Sequence, residues 1–209
     1  MKEVTLKVLE RGLNNFESGH FDEALQECRC CFRFHEAGAP VPPEGDKSNV
    51  QWLIQGAAPG RHEVKDTIPF SPKGQGGHML AGYMDALGIS RDDCYLTNTC
   101  FCMGLRDRLP TITESQICAR WKAHEYGSIP YIRYIVLLGN NAVRQILGYT
   151  QQSVVYSNGK TYKSMIGKRY VYILTVHHPG YLLRNPSKKQ ETVEALVNFR
   201  QEVVNGLLL

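Results

Sequence analysis

Four short apolar runs, separated by stretches of helical periodicity, restrict this chain more than any other feature. They occupy residues 50–54, 94–99, 131–138 and 171–176, and the third ends in the wholly apolar Ile135-Val136-Leu137-Leu138. A strand with one face in water alternates apolar and polar residues. A strand that is apolar throughout is covered on both faces, as parallel strands joined by crossover helices are. Between the runs the pattern predicts helices over 78–87, closed by Gly88, over a segment opening at Thr113 with Ile117, Cys118 and Trp121 on its apolar face, and over 141–147; a closing helix spans 188–207. The reading is an α/β fold, a three-layer α/β/α sandwich with a mainly parallel four-stranded central sheet. Residues 4–25 read as one or two amphipathic helices with Leu6, Leu9 and Leu13 at helical spacing and a break at Ser18-Gly19-His20. Residues 32–48, rich in Gly and Pro, read as a surface connection, and 153–165 as a polar stretch of β character.

A chain of 209 residues, 43% hydrophobic and 21% charged, fits one compact domain over 1–209, with an N-terminal helical region at 1–31. No apolar run approaches the roughly 20 residues of a membrane span, and the Lys- and Glu-rich start has no secretory core. The expectation is a soluble, cytoplasmic monomer. A formal charge of +4 leans toward a polyanionic partner without identifying one.

The first strand runs into Gly56-Ala57-Ala58-Pro59-Gly60, then Pro69-Phe70 and the glycines Gly74, Gly76 and Gly77. Small residues let backbone N–H groups approach a ligand, and open α/β sheets bind ligands beyond the carboxyl ends of their strands. The last core strand ends in His177-His178-Pro179-Gly180-Tyr181-Leu182-Leu183-Arg184, which puts His178 at the same sheet edge. A neutral imidazole there can donate a hydrogen bond to developing negative charge, while His177 reads as packed with its ring nitrogen satisfied. Arg184, Lys188 and Lys189 beside Tyr181, Leu182 and Leu183 join phosphate-seeking cations to apolar wedges.

Seven cysteines without an export signal point to metal ligation rather than disulfides. Cys28 and Cys31 form a C-x2-C pair, and Cys102 and Cys118 can complete a set of four thiolates for zinc or an iron-sulfur cluster. Cys30 and Cys100, beside them, leave the ligand set ambiguous, and Cys94 reads as strand core.

In order and spacing these pieces resemble the uracil-DNA glycosylase superfamily, and most closely its iron-sulfur branch, family four. The shared elements are the C-x2-C pair, the G-E-A-P-G-like loop, Pro69-Phe70, the Gly77 turn, Tyr95-Leu96-Thr97-Asn98 leading to Cys102, Cys118, Leu138-Gly139-Asn140-Asn141-Ala142, and the run from His178 to Arg184. The resemblance implies a four-iron, four-sulfur cluster of structural role on Cys28, Cys31, Cys102 and Cys118, in preference to zinc. It implies hydrolysis of the N-glycosidic bond of uracil, or of another deaminated base, in DNA. Gly56, Ala57, Pro59, Gly60, Phe70 and Gln75 would bind the base, with Phe70 stacking on it and Asn98 reading its edge. His178 would stabilise the departing base. Gly180, Tyr181, Leu182 and Arg184 would meet DNA, Leu182 filling the hole in the duplex.

The chain departs from family four at Ala57, where that branch has Glu, and Ala58 stands at the position of the catalytic Asp of the best-known branch. A further branch with an apolar G-L-A-P-A loop is active. Glu63, Asp66, Gln75 and His78 are the groups near enough in sequence to substitute for the carboxylate. Gly180 replaces a Ser, and the turn 71–77 is about two residues longer than the family-four form. Two alternatives follow: a relative that binds uracil-containing or damaged DNA without cutting it, and a metal-stabilised α/β protein acting on a free nucleotide.

Overall fold

The computed structural model of the protein describes residues 1–6, 21–148 and 154–207. Its centre is a six-stranded sheet of order β1-β5-β6-β4-β2-β3. The strands are β1 (Lys2–Glu3), β2 (Trp52–Gly56), β3 (Cys94–Asn98), β4 (Tyr134–Leu138), β5 (Thr161–Ile166) and β6 (Arg169–Val176). The four predicted core strands β2, β3, β4 and β6 are mutually parallel. The expected count of four is corrected to six: β5 adds to β6 antiparallel, and β1 to β5 in parallel. β5 escaped the apolar-run criterion because it is an outer strand whose side chains alternate between buried and more exposed, and the polar Thr161, Lys163 and Ser164 interrupt its apolar residues.

Alternate side chains of the core strands enter two separate cores. Leu53, Tyr95, Ile135, Leu137, Val171 and Ile173 pack under α5 (Ile112–Ser128) and α6 (Gly139–Leu147). Trp52, Ile54, Leu96, Val136, Leu138 and Leu174 pack under α4 (Gln75–Leu87), α8 (Pro179–Arg184) and α9 (Lys189–Phe199). Helices on both faces of a mainly parallel sheet make the three-layer sandwich. Two short helices, α1 (Phe21–Gln26) and α2 (Phe32–Ala37), carry the first cysteines, α3 (Arg61–Asp66) follows the loop after β2, and α7 (Val154–Ser157) precedes β5.

Several boundaries move. α5 starts at Ile112, one residue before Thr113, because Thr111 caps it, its hydroxyl accepting from the Glu114 N–H while the Glu114 carboxylate accepts from the Thr111 N–H. α4 begins at Gln75, and the closing helix widens into a π turn over Arg200–Val204. Leu6 is buried in the core under α5 and α6, whereas Leu9, Leu13 and the break at 18–20 lie outside the described residues. Among the described residues no helix is long and apolar enough to cross a membrane.

Candidate active site

A cavity of about 850 Å³ opens at the carboxyl edge of the parallel strands. The loop after β2 supplies Ala57, Ala58, Pro59 and Gly60; the turn into α4 supplies Gln75; and α8 and its entry supply His178, Gly180, Tyr181 and Arg184. The loop is tied to the end of β3, whose Thr99 N–H donates to the Gly56 carbonyl at 2.9 Å and whose Cys100 N–H donates to that of Ala57 at 3.0 Å. Residues from three separated stretches thus share one concave site.

Gly56, Phe70 and Asn98 do not line the open volume; they form the buried wall behind it. Gly56 and Asn98 are register partners at the ends of β2 and β3. A Cβ on Gly56 would lie 2.5 Å from Phe70 Cζ and 2.6 Å from Asn98 Oδ1, so only glycine allows this approach. Phe70 itself sits at φ 50°, a left-handed backbone that costs a bulky residue on the order of 1–3 kcal/mol. Arg91 holds it there, donating to the carbonyls of Pro69 at 2.7 Å and Phe70 at 3.2 Å while paired with Glu44 at 2.6 Å.

His178 caps α8, its Nδ1 accepting from the Gly180 N–H at 3.1 Å. A ring whose Nδ1 is an acceptor carries its proton on Nε2 when neutral. Burial, and secondarily the Arg184 charge, push its pKa down to about 4, so the ring is neutral at pH 7. Its Nε2 is buried without a partner, and so is Asn98 Oδ1. Two orphaned polar atoms, a donor and an acceptor, thus lie near Phe70: its ring centroid is 6.3 Å from that of His178, and Gly56 packs against both Phe70 and Asn98. Gly139, at φ 80°, has a backbone few side chains tolerate, and a Cβ there would lie 3.0 Å from the His178 Cβ. His177 packs as expected: it is buried, stacks on Tyr181 at 4.8 Å, and meets Glu191 Oε1 at 3.0 Å.

The four groups considered as carboxylate substitutes separate by position. Glu63 lines the cavity; its Oε2 accepts from the Gly60 N–H at 2.7 Å and its Oε1 from the Phe70 N–H at 2.6 Å. Burial holds its pKa above the usual carboxylate range against those hydrogen bonds and one from Asn98. A carboxylate only accepts, so Asn98 gives its amide N–H to Glu63 and keeps Oδ1 for the pocket. Asp66, one turn on, is taken up by Ser71 at 2.5 Å and Lys73 at 3.0 Å. Gln75 lines the cavity from an exposed position, and His78 does not line it.

Leu182 is 1% exposed, packed in the core under α4 and α9, so the expectation that it fills a duplex is corrected. The adjacent Leu183 is 40% exposed and borders the cavity. Helical register on α8 turns one leucine in and the other out, a phase that a six-residue helix does not reveal in sequence. Sequence reasoning also missed Arg144 of α6, which lines the cavity and has a buried Nε without a partner.

The cysteines gather below the pocket, in a small core of Phe21, Leu25, Cys100, Phe101, Cys118 and Trp121 against which Ala58 and Cys28 pack. Cys31, the N-cap of α2, hydrogen-bonds Cys118, which also bonds Cys100; the Cys118 contact and burial raise the Cys31 thiol, and the Cys100 contact and burial raise that of Cys118 against the opposing contact with Cys31. Cys102, pushed up to about 12 chiefly by burial, lies close enough to feel Cys31 and Cys28. Among the described residues no three His, Cys, Asp or Glu side chains close on a single metal ion; the sulfurs form a looser group. Two fully buried cations border it, Arg33, which donates to the Cys102 carbonyl at 2.8 Å, and Lys122, whose Nζ lies 4.0 Å from the Phe101 ring centroid.

Comparison with known proteins gives a consistent result. A family model, the uracil DNA glycosylase superfamily, matches residues 42–200. The chain is 27% identical over 179 residues to a type-4 uracil-DNA glycosylase of Pyrobaculum aerophilum, covering 85% of this chain and 90% of the relative. It is 28% identical over 173 residues to a type-4 uracil-DNA glycosylase of Archaeoglobus fulgidus, covering 80% and 83%. Over 123 residues it is 32% identical to a type-5 uracil-DNA glycosylase of Thermus thermophilus, covering 53% and 55%.

Proposed function

The chain belongs to the uracil DNA glycosylase superfamily, and from that premise we propose how its pocket removes a base. The protein is a uracil-DNA glycosylase: it hydrolyses the N-glycosidic bond between uracil and deoxyribose in DNA and leaves an abasic site. The observation that carries the assignment of roles is the pair of orphaned atoms, Asn98 Oδ1 and His178 Nε2–H.

An acceptor at Asn98 Oδ1 suits the N3–H of uracil and opposes the bare N3 of cytosine. The discrimination rests on the Glu63 carboxylate, which fixes the amide orientation. Hypoxanthine and xanthine also present a ring N–H, so the same acceptor admits other deaminated bases. As the bond from C1′ to the base nitrogen breaks, its electron pair leaves with the base, and the neutral His178 donates from Nε2 to the oxygen on which that charge collects. Such a donor in a dry site contributes about 3 kcal/mol. Water adds to C1′, and the proton it loses passes through solvent to the base anion, so that the base is released neutral. Neither Ala57 nor Ala58 can orient that water; Glu63, the half-buried carboxylate of the cavity wall, supports this role. Lys73, an amine on the cavity wall, is paired with Asp66, which fits a water nucleophile and a monofunctional enzyme. Leu183, in place of Leu182, fills the duplex behind the extruded nucleotide, and Arg184 holds a phosphate.

Cys28, Cys31, Cys102 and Cys118 would hold a four-iron, four-sulfur cluster, whose chemistry here is to cross-link α1, α2, α5 and the segment after β3. A cluster separates its thiolates more widely than one ion does, and the loose sulfur group with buried Arg33 and Lys122 beside it suits such an anionic centre. Metal analysis decides: about four irons per chain support the cluster, one zinc overturns it. The unit acting on DNA is the single domain over 1–209, as a monomer.

The test of function is excision from strands carrying uracil, hypoxanthine, xanthine or cytosine, read as cleavage after alkali. The expected result is cleavage at uracil and none at cytosine. Tight binding to uracil DNA with no cleavage at high enzyme concentration would favour the non-cutting relative.

A further inference from the structure

The segment Gly104-Leu105-Arg106-Asp107-Arg108-Leu109-Pro110-Thr111-Ile112 joins β3 to α5 and turns its apolar side chains outward. Leu109 is 64% and Ile112 53% exposed, and Leu105 is exposed beside them. Single exposed leucines are ordinary; three within eight residues form a patch. The segment is held stiff. Arg106 and Asp107 both sit in the left-handed region, at φ 54° and 60°. Arg108 is clamped by Glu114 at 2.5 and 2.9 Å and by Glu36 at 2.9 Å, Glu36 also accepts from the Leu105 N–H at 3.0 Å, and Asn141 donates to the Pro110 carbonyl at 2.9 Å. Strained backbone braced by ion pairs from two helices marks a surface kept in one shape for use.

Leu109 and Ile112 border the cavity on the side of α5 and α6, whereas Leu183 borders it on the side of α4 and α9. Of the cations around the opening, Arg61, Lys73 and Arg108 are paired with carboxylates, which leaves Arg144 and Arg184 to meet a polyanion between the two rims.

We propose that Leu109 and Ile112 form a second apolar rim that presses into the base stack of duplex DNA on the side of the pocket away from Leu183. The nucleotide is then drawn out between two wedges, one from each face of the sheet. Duplex is the occupant because an apolar wedge is needed only where bases are stacked and paired; a single strand needs the pocket but not the second rim. The inference rests on the glycosylase reading.

The test compares the double variant Leu109→Ser, Ile112→Ser with the wild type on the same uracil sequence as duplex and as single strand. The ratio of kcat/KM on duplex to that on single strand should fall roughly tenfold, consistent with losing part of the few kcal/mol of unstacking. A variant that merely folds poorly loses activity on both and leaves the ratio fixed; an unchanged ratio overturns the proposal. A second measurement needs no chemistry. With 2-aminopurine beside a stable abasic analogue in a duplex, wild-type binding should raise the fluorescence and the variant should raise it much less. Equal rises overturn the rim even if the protein cuts; no excision by the wild type on either substrate, with unequal rises, overturns the glycosylase reading and leaves the rim standing. A wild-type dimer that the variant dissolves would make the patch a contact between copies and count against the proposal.

Discussion

Thr97 and Asn98 are neighbours at the end of β3, and their side chains enter opposite faces of the sheet with opposite fates. On the side of α5, Thr97 joins a paired network: Lys122 Nζ donates to its Oγ1 at 2.7 Å, and that hydroxyl donates to Glu125 Oε1 at 2.8 Å, with Lys122 and Glu125 in a fully buried ion pair at 2.5 Å. Gln55 and Gln145 form a second paired set, Gln55 donating to Gln145 and Thr99 and accepting from the Tyr126 hydroxyl, and Gln145 donating to the carbonyls of Thr99 and Ser115. On the side of α4, Asn98 keeps Oδ1 unpaired beside a His178 whose Nε2 is unpaired too. Buried polar groups that find partners hold the carboxyl edge in place. Those denied partners by the fold are left for a ligand, since an unmet buried donor or acceptor is costly unless something else meets it.

The contrast breaks if changes on the paired side cost activity rather than stability, or the reverse. Lys122→Met leaves Glu125 buried without its cation and should destabilise the fold by about 3–5 kcal/mol, read by denaturant unfolding, while the surviving folded fraction keeps its KM. His178→Ala should lower kcat on uracil DNA by about 10²–10³-fold with the unfolding midpoint nearly unchanged; a large stability loss with normal kcat would place it among the structural groups. Glu63→Gln keeps one acceptor but can no longer accept from Gly60, Phe70 and Asn98 together. Excision should fall about 10²-fold, the low end for acid–base groups, and discrimination against cytosine should weaken as the Asn98 amide is freed to turn. Gly180→Ser sharpens the comparison from below. A Cβ there meets only the His178 ring, Nδ1 at 3.4 Å and Cε1 at 3.8 Å, ordinary contacts, so kcat should stay within about twofold of the wild type.

Apolar runs revealed the sheet because burial on both faces constrains residue type directly; β5 and β1 stayed hidden because outer strands are under no such constraint. At the site, residue type identified His178, Asn98 and the cysteines. Their states were not legible, because the neutral tautomer of His178 depends on a backbone N–H two residues on, and the orientation of Asn98 on a carboxylate 35 positions away in sequence. Glu63 and Asp66 show the same limit. Three residues apart on one short helix, one has its pKa raised by burial and the other lowered by Ser71 and Lys73, a difference set by what each carboxylate meets.

The central claim is that neutral His178 donates to the departing base, and the pH dependence of single-turnover uracil excision tests it most directly. The folded pKa near 4 lies below the ordinary histidine value near 6.5, so between those values the unfolded chain takes up a proton that the folded chain refuses; stability from this group is full above about pH 6.5 and lost as pH falls toward 4. Kept above the pH at which it unfolds, the wild type should show no gain in rate as pH falls from 8 through 6. A rate that climbs on acidification through about pH 6.5, and a climb that His178→Ala removes, would mean that the imidazolium is the working form and would contradict the account.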